Sequence, residues 1–412
     1  MMGINLIENL LFFTDNRNQP RKINVDAAAA DSSYYYNEDQ LSVVKFYPYN
    51  PPVFYKELTF IAGNSSLTSP GIINIDTGLG PIQLAAAGLK VGQPVSVRKT
   101  DSSGTPIDLI GRDVYITAIN IASSPPNSIS LNLNNTAKWT IGDKIVVSMY
   151  GLKSCSNPYL PVIFNTKITE DAQNPGQFTM EDANTNNALL EGFGQGGTGW
   201  SNSDLWVTSD TGSTQKAITI EDGLKVISQN GNTITIKDAQ GNPPAAGYGG
   251  TTINIFRSNP DYKPTFAGGS EFLKDKFVRF SYRYKFNDNE YSLMAPFSQA
   301  AFVPKQFGNF LGADESAAGK SSVVEFMENN IDCVELFIST PFKTDTSTGQ
   351  IPCGITWKDA LTDLHIKQVE ILCSFSNETS IKVVEVLDVQ EIITLSTIGG
   401  DPASQTRSSF LW

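Results

Sequence analysis

Histidine, the residue that most often acts as a general acid or base, is scarce in this chain. His365 is the single histidine, so any site that needs two imidazoles is excluded. A serine hydrolase would use it as the general base, but it lies just before a predicted strand, and the chain has no Gly-x-Ser-x-Gly segment. We therefore expect His365 to face solvent and to have no catalytic role.

Carboxylates are plentiful, with 42 Asp and Glu residues, and glycosidases use a pair of them. Nothing in the sequence fixes such a pair, because any two acids can meet in a β fold. Asp26, Asp31 and Asp39 also depart from the alternating Asp and Asn residues and terminal Glu of a calcium loop. We expect no catalytic residue, no metal ligand and no cofactor.

The four cysteines, Cys155, Cys333, Cys353 and Cys373, show no Cys-x-x-Cys spacing, which argues against a zinc site. Cys333 and Cys373 lie in apolar runs typical of strands, where a free thiol packs as a small hydrophobic group. We expect reduced thiols and assembly in a cytoplasm.

The Gly-rich segment 191–200 invites comparison with a phosphate-binding loop. Such a loop needs a preceding buried strand and a following helix, and a P-loop also needs Lys followed by Ser or Thr. The next residues, 201–209, are neither basic nor helical in pattern. We expect a surface loop, which Trp200 and Trp206 anchor either to its own domain or to a neighbouring subunit.

The composition predicts an all-β, multidomain protein. The chain has 412 residues, 33 Gly and 22 Pro, and only 17% are charged, which is typical of many short strands joined by turns. The net charge of −12 repels nucleic acid unless basic residues are segregated. No run of 18 apolar residues occurs, and Glu8 interrupts the first apolar run, so we expect neither membrane insertion nor secretion by the usual route.

Residues 10–26 predict a hairpin, because an apolar run is halted by polar turn residues and then resumes in alternation at 23–26. Thr14 and Asp15 can bond the backbone of the turn, with arginines near Asp15 and Asp26. An ordinary surface hairpin with incidental charges is the alternative. The pattern is carried by Phe12, Phe13, Thr14, Asp15, Arg17, Pro20 and Arg21.

A second block, 277–298, opens with a long amphipathic strand over 277–286. The turn 287–290 follows, and then the next element, 291–302. The characteristic residues of the strand are Arg279, Tyr282, Arg283 and Tyr284.

The first block resembles the strand-turn-strand of Tyr-Trp-Thr-Asp β-propeller blades. It is more similar to the N-terminal signature of the tail muzzle, or nozzle, family of crAss-like short-tailed bacteriophages, and the second block matches the same family. The resemblance implies a non-enzymatic virion protein that forms a homo-oligomeric, six-fold ring below the portal and collar. It would contact other tail, collar or ring proteins, and DNA would pass through during ejection without specific binding. A receptor- or glycan-binding adhesin of a phage tail or cell surface is the alternative.

Pro-rich and Gly-rich boundaries divide the chain into four predicted regions. Residues 1–56 form a propeller-blade-like β unit, 57–256 an inserted β-barrel or sandwich module, 270–395 a fibronectin type III-like sandwich, and 396–412 the start of a further β segment. Within the module, two short sequence echoes predict a pair of related small antiparallel barrels or sandwiches, with chance similarity of hairpins as the alternative. The echoes pair 89–97 with 139–147 and 114–133 with 224–236.

We also predict interface residues and local elements in some shorter segments. Tyr34, Tyr35 and Tyr36 contact a partner or cover their own domain, and Trp412 is a further candidate interface residue. Because apolar residues end the chain, we expect them to pair with a segment of a longer polypeptide. The predicted local elements are strands at 41–46, 331–339, 367–374, 381–387 and 391–396 and helices at 316–329 and 357–364.

Overall fold

The computed structural model divides the chain into two compact units. Unit 1 comprises Met1–Phe54, Asp275–Val303 and Val334–Trp412, and unit 2 comprises Tyr55–Lys274 and Pro304–Cys333. The structure describes residues 3–15, 17–35, 38–63, 72–77, 84, 88–100, 106–121, 127–131, 141–181, 205–211, 215–230, 232–265, 269, 272–303, 329–343, 353–354, 357–398 and 409–411.

Unit 1 begins with a three-stranded antiparallel sheet of β1 (Gly3–Ile7), β2 (Leu10–Thr14) and β3 (Arg21–Asn24). The predicted hairpin is confirmed, because β2 pairs with β3. Strand β1 is an addition that the sequence did not predict.

The first helix, α1 (Val25–Ala30), starts where the sequence predicted continued strand alternation, so that prediction is wrong beyond Asn24. The Asn24 side chain accepts a hydrogen bond from the backbone N of Ala27 (3.1 Å) and so caps the helix. Four consecutive alanines then favour helix over strand.

The strand predicted at 41–46 is also wrong. Helix α2 (Glu38–Leu41) ends at its first residue, and Ser42 forms only an isolated bridge with Arg21. The Val43 backbone N donates to the Pro20 carbonyl (3.0 Å), so this segment lies against the hairpin without forming a continuous ladder.

The second sheet of unit 1 has the antiparallel order β17-β21-β22, from β17 (Val278–Phe286), β21 (Ile366–Phe375) and β22 (Ile381–Asp388). Strand β17 is amphipathic as predicted, since Phe280 and Tyr282 are buried and Arg279 is exposed. The strands predicted at 367–374 and 381–387 are therefore confirmed.

Other strands of unit 1 lie in separate small sheets. The strand predicted at 331–339 is β18 (Cys333–Phe337), which pairs with β23 (Ser409–Leu411). The backbone of β23 is thus paired within the chain, contrary to our expectation. Strands β19 (Phe342–Lys343) and β20 (Cys353–Gly354) form a two-stranded sheet. In the described part of 270–395 the strands form small sheets, and the fibronectin type III-like sandwich stays a prediction.

Two further helices follow. The predicted helix at 357–364 is confirmed as α3 (Trp357–Thr362). The strand predicted at 391–396 is wrong, because α4 (Val389–Ile398) occupies it. Asp388 accepts from the backbone N of Gln390 (2.9 Å), and Val389 and Ile392 bury one face at helical spacing. The helix predicted at 316–329 lies outside the described residues apart from Asn329.

Unit 2 contains two closed antiparallel barrels of six strands each, so the predicted pair of small β modules is confirmed and both are barrels. The first barrel has the order β4-β5-β8-β7-β6-β9. Its strands are β4 (Tyr55–Ala62), β5 (Ile72–Thr77), β6 (Pro94–Thr100), β7 (Pro106–Asn120), β8 (Asn127–Leu131) and β9 (Lys144–Tyr150).

After a short strand, β10 (Leu152–Lys153), the second barrel has the order β11-β12-β15-β14-β13-β16. A 3₁₀ turn, Ile220–Asp222, precedes its fourth strand. Its strands are β11 (Tyr159–Glu170), β12 (Gln177–Met180), β13 (Leu205–Ser209), β14 (Lys225–Asn230), β15 (Thr233–Lys237) and β16 (Thr252–Ser258).

The two barrels have the same strand order, 1-2-5-4-3-6 when each is numbered from its first strand. The hairpins of the second echo, β7-β8 and β14-β15, are the fourth and fifth strands of their barrels. The first echo does not relate one barrel to the other, because its two segments lead into β6 and β9, which are neighbours in the same barrel. A glycine with a left-handed φ precedes each of these strands, Gly92 (φ 84°) and Gly142 (φ 89°).

Arg257 joins the two barrels. Its side chain is 2% exposed, donates to the Gly92 carbonyl, and lies 4.4 Å from the centre of the Tyr115 ring. Burial lowers the pKa of Arg257, although the Tyr115 hydroxyl opposes the shift. Lys90 adds an ion pair with Asp261 (2.7 Å), so residues of the second barrel bind residues of the first.

Candidate functional site

The two sequence blocks that carry the phage resemblance meet in unit 1 through a cluster of four charges. Lys22 of β3 forms an ion pair with Glu290, and Lys45 lies 2.8 Å from Asp288 and 3.8 Å from Glu290. The Lys45 and Asp288 side chains are only 9% and 5% exposed. Buried charges are stable only when paired, so this charge cluster fixes the first block against the second.

The acidic half of the charge cluster is presented by the turn after β17. The backbone N of Glu290 donates to the Asp288 carboxylate (3.1 Å), and Asn289 has a left-handed φ of 64°. The backbone N of Asn287 donates to the carbonyl of His365 (3.0 Å). Main-chain hydrogen bonds therefore fix the turn that presents Asp288 and Glu290 to the lysines.

A small cavity of about 20 Å³ lies beside the charge cluster, lined in part by Tyr34, Tyr35, Lys45, Asp288 and His365. The Tyr34 ring stacks on His365 with centroids 4.6 Å apart, and Nε2 of His365 lies 3.0 Å from the Tyr34 carbonyl. Burial, with a smaller effect of Asp288, raises the pKa of Tyr34 to about 12. This volume has room for about one water molecule and is too small for an organic substrate.

His365 does not face solvent, so that prediction is wrong. It is half-buried under Tyr34, and its backbone is in the left-handed region with φ 56°. A non-glycine residue adopts this conformation at some cost, which the stacking and the bond from Asn287 offset. His365 thus has a packing role at the start of β21.

The second block contains residues whose importance the sequence reasoning missed. Segment 291–301 runs along the free edge of β17 without forming a regular strand, and four of its backbone N–H groups donate to carbonyls of β17 at 2.7–2.9 Å. The donors, Ser292, Ala295, Ser298 and Ala301, are small residues spaced by three, and this spacing is the signal that could have revealed them.

Two serine hydroxyls complete that edge. The Ser292 hydroxyl accepts from the backbone N of Tyr284 (2.9 Å), and the Ser298 hydroxyl accepts from that of Phe280 (3.0 Å). The hydroxyl of Ser281 donates to the Ala295 carbonyl (2.7 Å). Side chains therefore satisfy backbone groups that a neighbouring strand would otherwise bind.

In the first block, Asp15 orients the turn as predicted. Its carboxylate accepts from the backbone N of Asn18 (2.8 Å) and Arg17 (3.0 Å), and these bonds lower its pKa to about 2. Phe12, Phe13 and Thr14 are half-buried in β2, Arg17 and Pro20 are exposed, and Arg21 is half-buried.

In the second block, Tyr282 and Tyr284 are buried with ring centroids 5.9 Å apart. Burial raises the pKa of Tyr282 to about 12 and that of Tyr284 well above its ordinary value. Arg283 pairs with Glu370 (2.7 Å) and lies 4.1 Å from the centre of the Tyr291 ring. These motif residues therefore hold the sheet together.

The candidate interface residues that the structure describes make contacts within the chain. Tyr34 stacks on His365, and the Tyr35 hydroxyl accepts from the backbone N of Asn24 (2.8 Å). Trp206 meets Tyr159 edge to face, and the Lys225 ammonium lies 4.0 Å from a Trp206 ring centre. Tyr36, Trp200 and Trp412 lie outside the described residues, as does the Gly-rich segment 191–200.

Exposed apolar side chains instead occur on two edge strands of unit 1. Strand β1 exposes Ile4 (62%), Leu6 (58%) and Ile7 (55%), and β22 exposes Ile381 (45%) and Val383 (47%). Each strand lies at the end of its sheet order. Open, apolar edge strands are surfaces on which another chain can pack or add a strand.

The described residues include no group of three or more His, Cys, Asp or Glu side chains arranged to hold a metal ion. None of the helices in the described ranges has the length and apolar character needed to cross a membrane. Comparisons of the chain with protein-family models, curated proteins and solved structures each found no match.

Proposed function

We propose that this chain is a non-enzymatic structural protein of a phage virion, and that it forms part of a ring-shaped tail muzzle through which DNA is ejected. The observation that carries this proposal is the contact between the two blocks. Lys22 of the first block pairs with Glu290 of the second, although the inserted unit 2 separates them in sequence. The blocks therefore act as one folded element, which makes their joint resemblance to the muzzle family more informative than two separate matches.

The edge strands of unit 1 support self-association. A ring requires each copy to present a surface to the next copy, and among the described strands β1 and β22 are edge strands with exposed apolar side chains. The net charge of −12 is compatible with a channel that DNA crosses without being held.

Electron microscopy of purified virions labelled with an antibody against this chain tests the location. We expect label at the tail, below the collar, in a ring arrangement. Label at another part of the particle would contradict the proposal. Unlabelled particles in which mass spectrometry finds no copy of the chain would also contradict it.

Oligomerisation is tested by light scattering of the purified chain. We expect concentration-dependent oligomers that Leu6→Lys and Val383→Lys weaken, because a charge on the open edge opposes strand addition. Ile141→Lys is the matched control, since Ile141 is 66% exposed in unit 2. A monomer that binds immobilised oligosaccharides would favour the adhesin alternative.

A further inference from the structure

Cys155 and Cys333 lie side by side in unit 2, and neither has a role in the proposed function. Both side chains are 0% exposed and both thiols are free. The two thiols interact, since each shifts the pKa of the other, and the backbone N of Cys155 lies 2.5 Å from the carboxylate of Asp332, the residue before Cys333. The pair is therefore a buried dithiol made of residues from distant parts of the sequence.

Asp332 holds the backbones of the two cysteines together. Its carboxylate accepts from the backbone N of Cys155 (2.5 Å) and of Ser156 (3.1 Å), and also from the Ser156 hydroxyl. Its own backbone N donates to the Lys153 carbonyl (3.2 Å). Because Asp332 directly precedes Cys333, these bonds fix one cysteine relative to the other.

Other contacts hold the Cys155 segment in place. The carbonyl of Cys155 accepts from the backbone N of Lys263 (2.9 Å), and the Asn259 amide donates to the carbonyls of Ser154 and Asn157. The segment is thus bonded on both sides of Cys155.

The two thiols differ in acidity. The hydrogen bond from Cys333 lowers the pKa of Cys155, although burial opposes the shift, whereas the same bond and burial raise the pKa of Cys333. The thiolate is the nucleophile in thiol oxidation. We assign the first attack to Cys155 and the resolving step to Cys333.

We propose that Cys155 and Cys333 form an intramolecular disulfide when the protein meets a small peroxide oxidant. The Cys155 thiolate attacks one peroxide oxygen, the O–O bond breaks, and the departing hydroxide takes a proton to become water, leaving a sulfenic acid. The Cys333 sulfur then attacks the Cys155 sulfur, the S–O bond breaks, and the hydroxide leaves with the Cys333 proton as a second water. Two thiols and one hydrogen peroxide thus give one disulfide and two waters.

This disulfide would close a long loop, since Cys155 and the neighbouring Asp332 are 177 residues apart in sequence. Linking such distant positions restricts the unfolded chain strongly. Cys333 is also the last residue of unit 2 before the chain continues into unit 1. Oxidation would therefore link the last residue of unit 2 covalently to Cys155.

The test is oxidation of the folded, full chain with dilute hydrogen peroxide, followed by alkylation of the remaining thiols and tryptic mapping without reductant. Cleavage after Lys and Arg separates residues 154–167 from 321–343, so the disulfide yields one cross-linked peptide. We expect this peptide as the main oxidised product, with a mass about 2 Da below the sum of its reduced halves. The melting temperature of unit 2 should rise by about 5 °C after oxidation and return on reduction.

Cys155→Ser and Cys333→Ser should abolish the cross-linked peptide and the shift in melting temperature. Cys373→Ser is the matched control, because Cys373 is a buried free thiol of unit 1, and this variant should behave as wild type. The wild-type peptide map decides the question even if a variant folds poorly. Oxidation of Cys155 to a sulfinic acid without cross-linking, or cross-linking only in denaturant, would overturn the proposal.

Discussion

The two units satisfy their strand edges in different ways. In unit 2, each barrel closes on itself, with β4 paired to β9 and β11 paired to β16, so no strand of either ring is left at an edge. In unit 1, the described sheets do not close into barrels. Segment 291–301 and its serine hydroxyls bond along the edge of β17, and the charge cluster adds buried ion pairs. Closure pairs both sides of every barrel strand, whereas β1 and β22 are edge strands in the described part of unit 1.

The interiors of the two units are mainly apolar. The barrels bury aliphatic and aromatic side chains such as Phe60, Ile145, Phe178 and Ile255 at 1% exposure or less. Both units also bury polar and charged groups, such as Arg257 and Asp143 in unit 2 and the Lys45 and Asp288 side chains in unit 1. A buried polar group depends on its partners being present, so substituting one should destabilise the unit in which it lies.

The largest expected effect is that of Lys45→Met in the charge cluster. Removing Lys45 leaves Asp288 buried without its closest cation, which should lower the free energy of unfolding of unit 1 by about 3–5 kcal/mol. Urea denaturation followed by hydrogen exchange should show early opening of unit 1 with unit 2 unchanged.

Lys216→Met is the control for Lys45, because Lys216 pairs with Asp222 but is 82% exposed in its side chain. Its effect should stay within about 0.5 kcal/mol. If both substitutions lower the free energy of unfolding equally, burial in the charge cluster does not strengthen the contribution of Lys45.

Arg257→Ala tests whether the two barrels unfold as one block. The substitution removes the bond to the Gly92 carbonyl, the contact with the Tyr115 ring and the packing of the stem, at a cost of about 2–4 kcal/mol. Calorimetry should then resolve two transitions within unit 2. A single unchanged transition would mean that other contacts couple the barrels.

Ser298→Ala and Ser292→Ala test the completed edge of β17. Each removes the hydroxyl that accepts from a buried backbone N, which should cost about 1–3 kcal/mol. Ser380→Ala is the control, because Ser380 is exposed and its hydroxyl donates to the exposed carboxylate of Glu378. Protection of the Phe280 and Tyr284 amides in hydrogen exchange reports the effect, and unaltered protection in both variants would refute the role of the hydroxyls.

The smallest effect concerns the pH dependence of the Asp15 turn. Its folded pKa of about 2 lies below the ordinary value of 3.8, so the stabilisation by the carboxylate is fully present above about 3.8 and is lost as pH falls through about 2. Amide exchange at Arg17 and Asn18 should accelerate over this range, and Asp15→Asn should remove the dependence. An NMR titration midpoint near 3.8 would contradict the assignment.

The sequence by itself determined the local features that depend on neighbouring residues. Alternation and turn chemistry located the β2-β3 hairpin, the amphipathic β17 and the Asp15 turn, and the echoes indicated two related barrels. These features depend on side-chain periodicity and short-range hydrogen bonds, which can be read from adjacent residues.

Tertiary structure alone decided which distant residues meet. The pairing of Lys22 with Glu290, the stacking of Tyr34 on His365 and the contact between Cys155 and Cys333 join segments far apart in sequence. It also made 389–398 a helix, because the Asp388 cap and burial of one helical face outweighed an apolar pattern that favoured a strand. Such outcomes depend on the closure of long loops and on burial against remote partners, and local propensity contains neither.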